Sequence, residues 1–431
     1  MKLDEFEIRF DNARGVFAAG QHVSGHVVVK LTKPMKMRCI ELHFEGRAKS
    51  HWEVRQGRSK TDYRAGENYI TENITLFGTG QSSTEHPSGY HSYPFRLLLS
   101  ETLPSSFEGR RGYVRYFCKA TINRPWKFDE HIKRAFTVIH HLDLNAVPTA
   151  AMPLWGEKEA TIEGCCCTSG TLHASLTLNK TGYVPGEPID YTVEINNQSD
   201  SDVMGLELDL KQTVKYTGYS DSIFSSGHPK FHTKVDNFPL YNGPFFVRKN
   251  CTERLSKSIC VPALPPSKLD GCGIIDITYL IVMQPIMRWS SLRIEKEIII
   301  GTIPLQSPIG APPPFSEVAL DGLTSPSAPP EDFMMPPPYQ EPPPSYEESV
   351  FGRVEIRDEN DDGHTEGLQS WAPSYPYYHW DPNTRHFQMV ATTHGTVGDS
   401  ATPNPPITTQ PMGLQDQSGD AFPPCPPYNQ L

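Results

Sequence analysis

Apolar and polar residues alternate with a period of two through most of the first three hundred residues. VSGHVVVKL (Val23–Leu31), IELHFEG (Ile40–Gly46), YTVEINN (Tyr191–Asn197) and LELDLKQ (Leu206–Gln212) each put apolar side chains on one face and polar ones on the other. That is the pattern of a half-buried β-strand. The frequent Val, Ile and aromatic residues, punctuated by Gly, Pro, Asn and Asp, agree with it. No amphipathic helical pattern runs beyond about three turns. The expected fold is all-β.

The pattern is also written twice. Sliding the chain by 166 residues lays FAAGQHVSGHVVV (Phe17–Val29) on YVPGEPIDYTVEI (Tyr183–Ile195), with Gly20 on Gly186 and Phe17 on Tyr183. At the same shift IELHF (Ile40–Phe44) falls on LELDL (Leu206–Leu210). At a shift of 162, LPSSFEG (Leu103–Gly109) falls on PPSKLDG (Pro265–Gly271), and each runs into an apolar stretch. Three matched blocks in one order point to a tandem duplication. Each unit of about 150 residues is expected to be an antiparallel β-sandwich. Gly20 and Gly186 are expected at turns entering the second strand. The boundaries read as 1–150 for the first sandwich and 151–305 for the second, with the joint after HHLDLNAVP, near 145–170.

Composition changes the picture for the remainder. Residues 301–431 hold 25 of the 41 prolines and 17 Asp and Glu against 3 Arg, with no Lys. Their formal charge is −14 while the whole chain is −11, so residues 1–300 come to +3. Low hydrophobicity with one sign of charge predicts that 306–431 is a disordered, Pro-rich acidic tail, an extended coil without which the core folds. MKLDEFEIRF lacks the apolar run of a leader, and Ile274–Met287 is too short and too interrupted to span a bilayer. A cytosolic protein is expected, with its nine cysteines as thiols and its N-x-S/T sequons at Asn73, Asn179, Asn197 and Asn250 without sugar.

Chemistry is concentrated in the tail. PPPY (Pro336, Pro337, Tyr339) and PPSY (Pro343, Pro344, Tyr346) both fit Pro-Pro-x-Tyr. A WW domain grips two such prolines on a preformed polyproline II ridge and takes the tyrosine in a separate pocket, at little ordering cost to the ligand. In a tail this rich in Pro, composition alone yields about 0.2 such motifs, so two copies seven residues apart favour WW binding. APSY (Ala372–Tyr375) and CPPY (Cys425–Tyr428) lack the first proline. PSAP (Pro326, Ser327, Ala328, Pro329) fits the P-S/T-A-P motif read by the ESCRT-I machinery.

Elsewhere the signals are weaker. Cys165–Cys167 are adjacent and cannot wrap one tetrahedral ion, so no zinc is assigned and a structural or lipidatable loop is expected. Lys30, Lys33, Lys36, Arg38, Arg47 and Lys49 could present a basic face to anionic lipid or phosphorylated cargo, or form a solvated surface. No GxSxG, HExxH, Walker loop or paired acids are present, so no enzyme, metal or cofactor is expected and no nucleic-acid partner is indicated.

SFEGRRGYVRYFCKATINRPW (Ser106–Trp126), TGYVPGEPI (Thr181–Ile189), VPALPPSKLDGC (Val261–Cys272) and EIIIGTIPL (Glu297–Leu305), followed by PPxY motifs, resemble the α-arrestins, the arrestin domain-containing proteins. The resemblance covers about residues 5–305 and the tail motifs. It implies two tandem arrestin-like sandwiches, in a family where a cysteine cluster near the interdomain loop is familiar. It further implies an adaptor that holds membrane receptors or transporters as cargo and recruits a HECT-type ubiquitin ligase, with recruitment to plasma membrane and endosomes. Clathrin-box patterns, present in β-arrestins, are missing here. The alternative is a membrane-budding scaffold that recruits ESCRT-I through PSAP.

Overall fold

The computed structural model describes residues 2–163, 168–220, 228–287, 292–306, 353–358, 361–367, 370–381 and 386–390. Among them there is no α-helix; a 3-10 turn at Leu144–Ala146 lies between two β-rich halves. The first half runs β1 Leu3–Phe10, β2 Val16–Ala18, β3 His22–Leu31, β4 Met35–Met37, β5 Cys39–Gln56 and β6 Ser59–Gly78. It continues with β7 Thr84–His86, β8 Gly89–Leu98, β9 Phe107–Gly109, β10 Gly112–Asn123 and β11 Glu130–Ile139. In the second half are β12 Leu154–Glu163, β13 Thr168–Leu178, β14 Gly182–Tyr183, β15 Pro188–Ser199 and β16 Val203–Ser220. After these come β17 Lys230–Val247, β18 Cys251–Cys260, β19 Ile275–Ile286 and β20 Ile294–Ile300.

Each half is a sandwich whose inner faces are the apolar positions of the alternating runs. Val23, Val27, Val29, Ile40, Leu42 and Phe44 are buried in the first, as are Ile189, Val193, Ile195, Leu206, Leu208 and Leu210 in the second. The order β1-β3-β8 forms one small sheet and β12-β13-β15-β18 another. A larger sheet holds β11-β10-β5-β6 and passes through β16 to β19 and β20, because Tyr63 and Arg64 of β6 pair with Ser220 and Tyr219 of β16.

The duplication is visible bond by bond. Gly20 and Gly186 have φ of +83° and +87°, the left-handed turn that favours glycine. Phe17 pairs in parallel with Val138 of β11, and Tyr183 pairs in parallel with Ile300 of β20. Buried Tyr116 donates its hydroxyl to the Pro104 carbonyl at 2.7 Å, and buried Tyr279 donates to Pro265 at 2.8 Å. Ser106 Oγ accepts from Val138 N at 2.9 Å, and Ser267 Oγ accepts from Ile300 N at 2.8 Å. These pairs align Pro104 with Pro265 and Ser106 with Ser267, one residue off the third sequence block. Apolar alternation fixes which face a residue takes, whereas the carbonyl each tyrosine reaches fixes the offset.

Asn197 is fully buried, its amide donating to the Ser201 and Val247 carbonyls, which leaves no room for sugar. Cys39, Cys118, Cys251 and Cys272 are free, but Cys260 is disulfide-bonded, against the expectation of thiols throughout.

The span expected to be an extended coil contains further elements: β21 Val354–Glu355, β22 Thr365–Gly367, β23 Ser370–Trp371, β24 Tyr377–Asp381 and β25 His386–Val390. Tyr375 belongs to the main core cluster and Tyr378 packs with Leu144, Ala150 and Val184. The difference has a local cause. Averaged over the tail, composition is polar and Pro-rich, but residues 354–378 concentrate Val354, Ile356, Trp371, Tyr375 and Tyr378 around the acidic run Asp358–Asp362.

Candidate functional site

Strands β10 and β11 of the first sandwich carry cations on the face turned away from its core. Lys119 comes from β10, Lys133 from β11 and Arg47 from the neighbouring β5. A cluster of three cations is stable only with counter-charge, and the tail supplies it. Asp358 accepts from Arg47 at 2.6 Å and from Lys133 at 2.9 Å. Asp361 accepts from Lys133 at 2.8 Å and from Lys119 at 3.0 Å. Glu45, 2.6 Å from Arg47, brings the seat to three anions against three cations. Lys133 and Asp361 have side chains only 1% exposed. Burial alone raises the Asp361 carboxyl, but the Lys133 and Lys119 ammonium groups outweigh it and hold it below its usual range. Phe117 forms the floor, 3.9 Å from Lys133 Nζ in a cation–π contact.

Apolar contacts complete the seat. Ile356 packs on Phe117 and Ala135, with Trp371 against them. Then β22 adds to the sheet edge in parallel, Thr365–Gly367 opposite His131–Lys133. Farther along, Ser374 N donates to Thr137 Oγ1 at 3.2 Å and Tyr375 Oη donates to the Ser106 carbonyl at 3.0 Å. Tyr378 reaches the second half: its N–H donates to the Pro185 carbonyl at 2.9 Å and its hydroxyl to that of Thr302. A Cβ on Gly186 would stand 1.9 Å from the Tyr378 carbonyl oxygen, so the tail lies directly on that turn. The segment is a strap from the first sandwich to the second.

Of the residues singled out in sequence, Arg47 is in the seat, while Lys30 is paired with Asp4 at 2.6 Å on the outer surface. Lys119, Lys133, Asp358 and Asp361 were missed; the acidic run beside an aromatic-rich block was the available signal. Tyr375, of the APSY sequence that lacks the first proline, is buried and bonded to the Ser106 carbonyl. Pro326, Ser327, Ala328, Pro329, Pro336, Pro337, Tyr339, Pro343, Pro344 and Tyr346 lie outside the described residues, as do Cys165–Cys167. Their span has two described borders. Gln306 N donates to Asn145 Oδ1 at 2.9 Å on one side, and Arg353 leads into the seat on the other. Among the described residues no group of three or more His, Cys, Asp or Glu is placed to hold a metal ion.

The family model for arrestin (or S-antigen), N-terminal domain, matches residues 6–145, and that for the C-terminal domain matches residues 168–305. Arrestin domain-containing protein 17 of Caenorhabditis elegans is 32% identical over 315 residues, covering 70% of this chain and 72% of that protein. Arrestin domain-containing protein 4 of Mus musculus is 29% identical over 304 residues, covering 68% and 70%. Arrestin domain-containing protein 1 of Rattus norvegicus is 27% identical over 334 residues, covering 77% and 72%. Two matched domains on a duplicated sandwich place the chain: it belongs to the α-arrestins, the arrestin domain-containing proteins.

Proposed function

We propose that this α-arrestin is an adaptor linking membrane-protein cargo to a WW-domain HECT-type ubiquitin ligase, promoting ubiquitination, endocytosis and endosomal sorting. The arrestin sandwiches hold the cargo and the PPxY motifs hold the ligase. The rate advantage comes from effective concentration, since the ligase brings the chemistry. The observation that carries this reading is the doubled motif at Tyr339 and Tyr346 between Gln306, bonded to Asn145, and Ile356 and Asp358, which sit on the first sandwich. Twelve residues separate Tyr346 from the anchored Asp358, which spans about 43 Å at most even when fully extended. A ligase held there stays beside the first sandwich. Recruitment to plasma membrane and endosomes follows from the cargo.

Pulldown of a tandem WW fragment by the full chain tests the motifs. Tyr339→Ala and Tyr346→Ala singly are expected to weaken capture modestly, and together to abolish it. Undiminished capture by the double variant removes WW recognition. The PSAP sequence, just ahead of PPPY, favours a second reading as a membrane-budding scaffold that recruits ESCRT-I. Pro326→Ala/Pro329→Ala separates the two: lost vesicle release with cargo ubiquitination intact supports the scaffold.

A further inference from the structure

The turn between β10 and β11 holds an indole wholly outside the protein. Trp126 is 99% exposed and Phe128 is 73% exposed, two residues apart and next to Pro125. Water around an indole is unfavourable, and a flexible turn would fold it back onto the surface. This turn is not free to do so. Arg124 Nε donates to the Phe128 carbonyl at 2.7 Å, and its Nη2 pairs with Glu130 at 2.6 Å. Arg124 N donates to Asp129 Oδ1 at 2.8 Å. Trp126 itself has φ of +62°, a left-handed conformation that a bulky side chain rarely adopts. Such an outlier, held by its surroundings, points to a use for the exposed ring.

The surroundings name the partner. β3 ends, β5 begins and β10 ends at the same pole of the sandwich, so the turn stands beside the segment Thr32–Arg38. Arg38 donates to Asn123 Oδ1 at 3.2 Å, at the base of the turn. Lys33, Lys36 and Lys127 are exposed there as well, with Glu85 opposite Lys36 in the β4–β7 ladder. Glu130 and Asp129 are engaged by Arg124. An exposed aromatic pair with Lys33, Lys36, Arg38 and Lys127 on the same and adjoining loops, and the half-exposed Asp362 on the strap side, matches the headgroup boundary of an anionic bilayer, where indoles settle and Lys and Arg meet phosphates. A protein partner instead needs a broad patch of about 800 Å² on each side. His364 of the seated strap stacks on Phe128 at 5.0 Å between centroids, which fixes Phe128 and leaves Trp126 outward.

We propose that the Trp126 turn is the site by which this chain docks on an anionic membrane, with Trp126 and Phe128 in the interface and Lys127, Arg38, Lys36 and Lys33 over the headgroups. It deepens the membrane-recruited reading above and rests only on its membrane half. The full chain is sedimented with phosphatidylcholine vesicles with and without phosphatidylserine. Binding is expected only with phosphatidylserine, and bromine-labelled acyl chains should quench tryptophan fluorescence. Trp126→Ala should lower the vesicle partition about tenfold and Lys127→Glu about fivefold, the latter less at high salt, while Trp126→Phe keeps part of the binding. Because Trp126 touches no core, its variants should keep the wild-type melting temperature and full capture of the WW fragment. Wild-type protein that ignores anionic vesicles, or Trp126→Ala that binds them as well as wild type, overturns the proposal. Trp126→Ala that binds vesicles fully but loses a protein cargo overturns it too, in favour of a protein surface. The PPxY double variant should still bind vesicles, so failure of ligase recruitment is told apart from failure of docking.

Discussion

Lys133 stands between Ile132 and Arg134 in a strand whose residues are half polar, and nothing local marks it as half of an ion pair. Its partners are 225 and 228 residues away in sequence. A period-two pattern assigns faces, but no pattern along the chain reports a counter-charge that returns from so far, so the seat was not legible. A pH dependence follows from it. The seated Asp361 titrates below its unfolded value, so its stabilising contribution is fully present above the unfolded pKa of about 3.9 and is lost as pH falls through the lower seated value. Glu45, also lowered, works in the same direction, with burial opposing and His43 and Arg47 prevailing. Exchange protection in the strap, taken relative to the intrinsic rate at each pH, should therefore hold from pH 7 down to about 5 and fall as the carboxylates protonate below about 4. Asp361→Asn should weaken the seat at neutral pH by about 3 kcal/mol, since it leaves buried ammonium groups short of charge. That means a hundredfold or greater loss of protection in the strap and little change in the cores of the sandwiches. Unchanged strap protection would show that the ions do not hold it.

At the level of elements, β15 and β16 were readable because their buried residues recur at every second position, whereas β11 buries Ala135–Ile139 without a break. The turns at Gly20 and Gly186 were readable because two glycines recur at the same place in the repeat, and both are left-handed. The strap's elements were not, because Val354–Glu355 and Ser370–Trp371 are too short to show any period and rely on the surface beneath them. The repeat supplies a controlled comparison. Gly20→Ala and Gly186→Ala both impose a Cβ on a left-handed residue, a strain of about 1 kcal/mol. At Gly20 the new methyl meets only the flexible Glu101 side chain at 3.0 Å. At Gly186 it would collide with the Tyr378 backbone carbonyl. Both variants should melt a few degrees lower, but only Gly186→Ala should lose exchange protection at Tyr377–Asp381. Equal protection in the two would mean that Tyr378 is not seated on that turn.

For the whole molecule, the strap changes what the tail motifs can reach. PPPY and PPSY stand out in sequence because a linear motif consists only of its own residues. Where they hang depends on the seat that composition concealed. With Asp358 anchored, a ligase that gripped Tyr346 would be tethered to the first sandwich, and residues 301–431 offer it no lysine. Lysine-linked ubiquitin on this chain must then fall at or before Lys296, or go to cargo. Of the lysines nearest the strap, Lys133 is 1% exposed and engaged by both carboxylates, with Lys119 beside it. Remnant mapping after co-expression with a WW-containing HECT ligase should find every lysine-linked site at or before Lys296, with Lys133 unmodified. Asp358→Asn/Asp361→Asn should unseat the strap, which bares Lys119 and Lys133 and also lengthens the ligase tether. New remnants at those two lysines are expected in that variant alone. Modification of Lys133 in the wild type at the level of exposed lysines would contradict the seat. Dominant modification of tail Ser, Thr or Cys425 would defeat the idea that a tail without lysine is spared by the enzyme it carries.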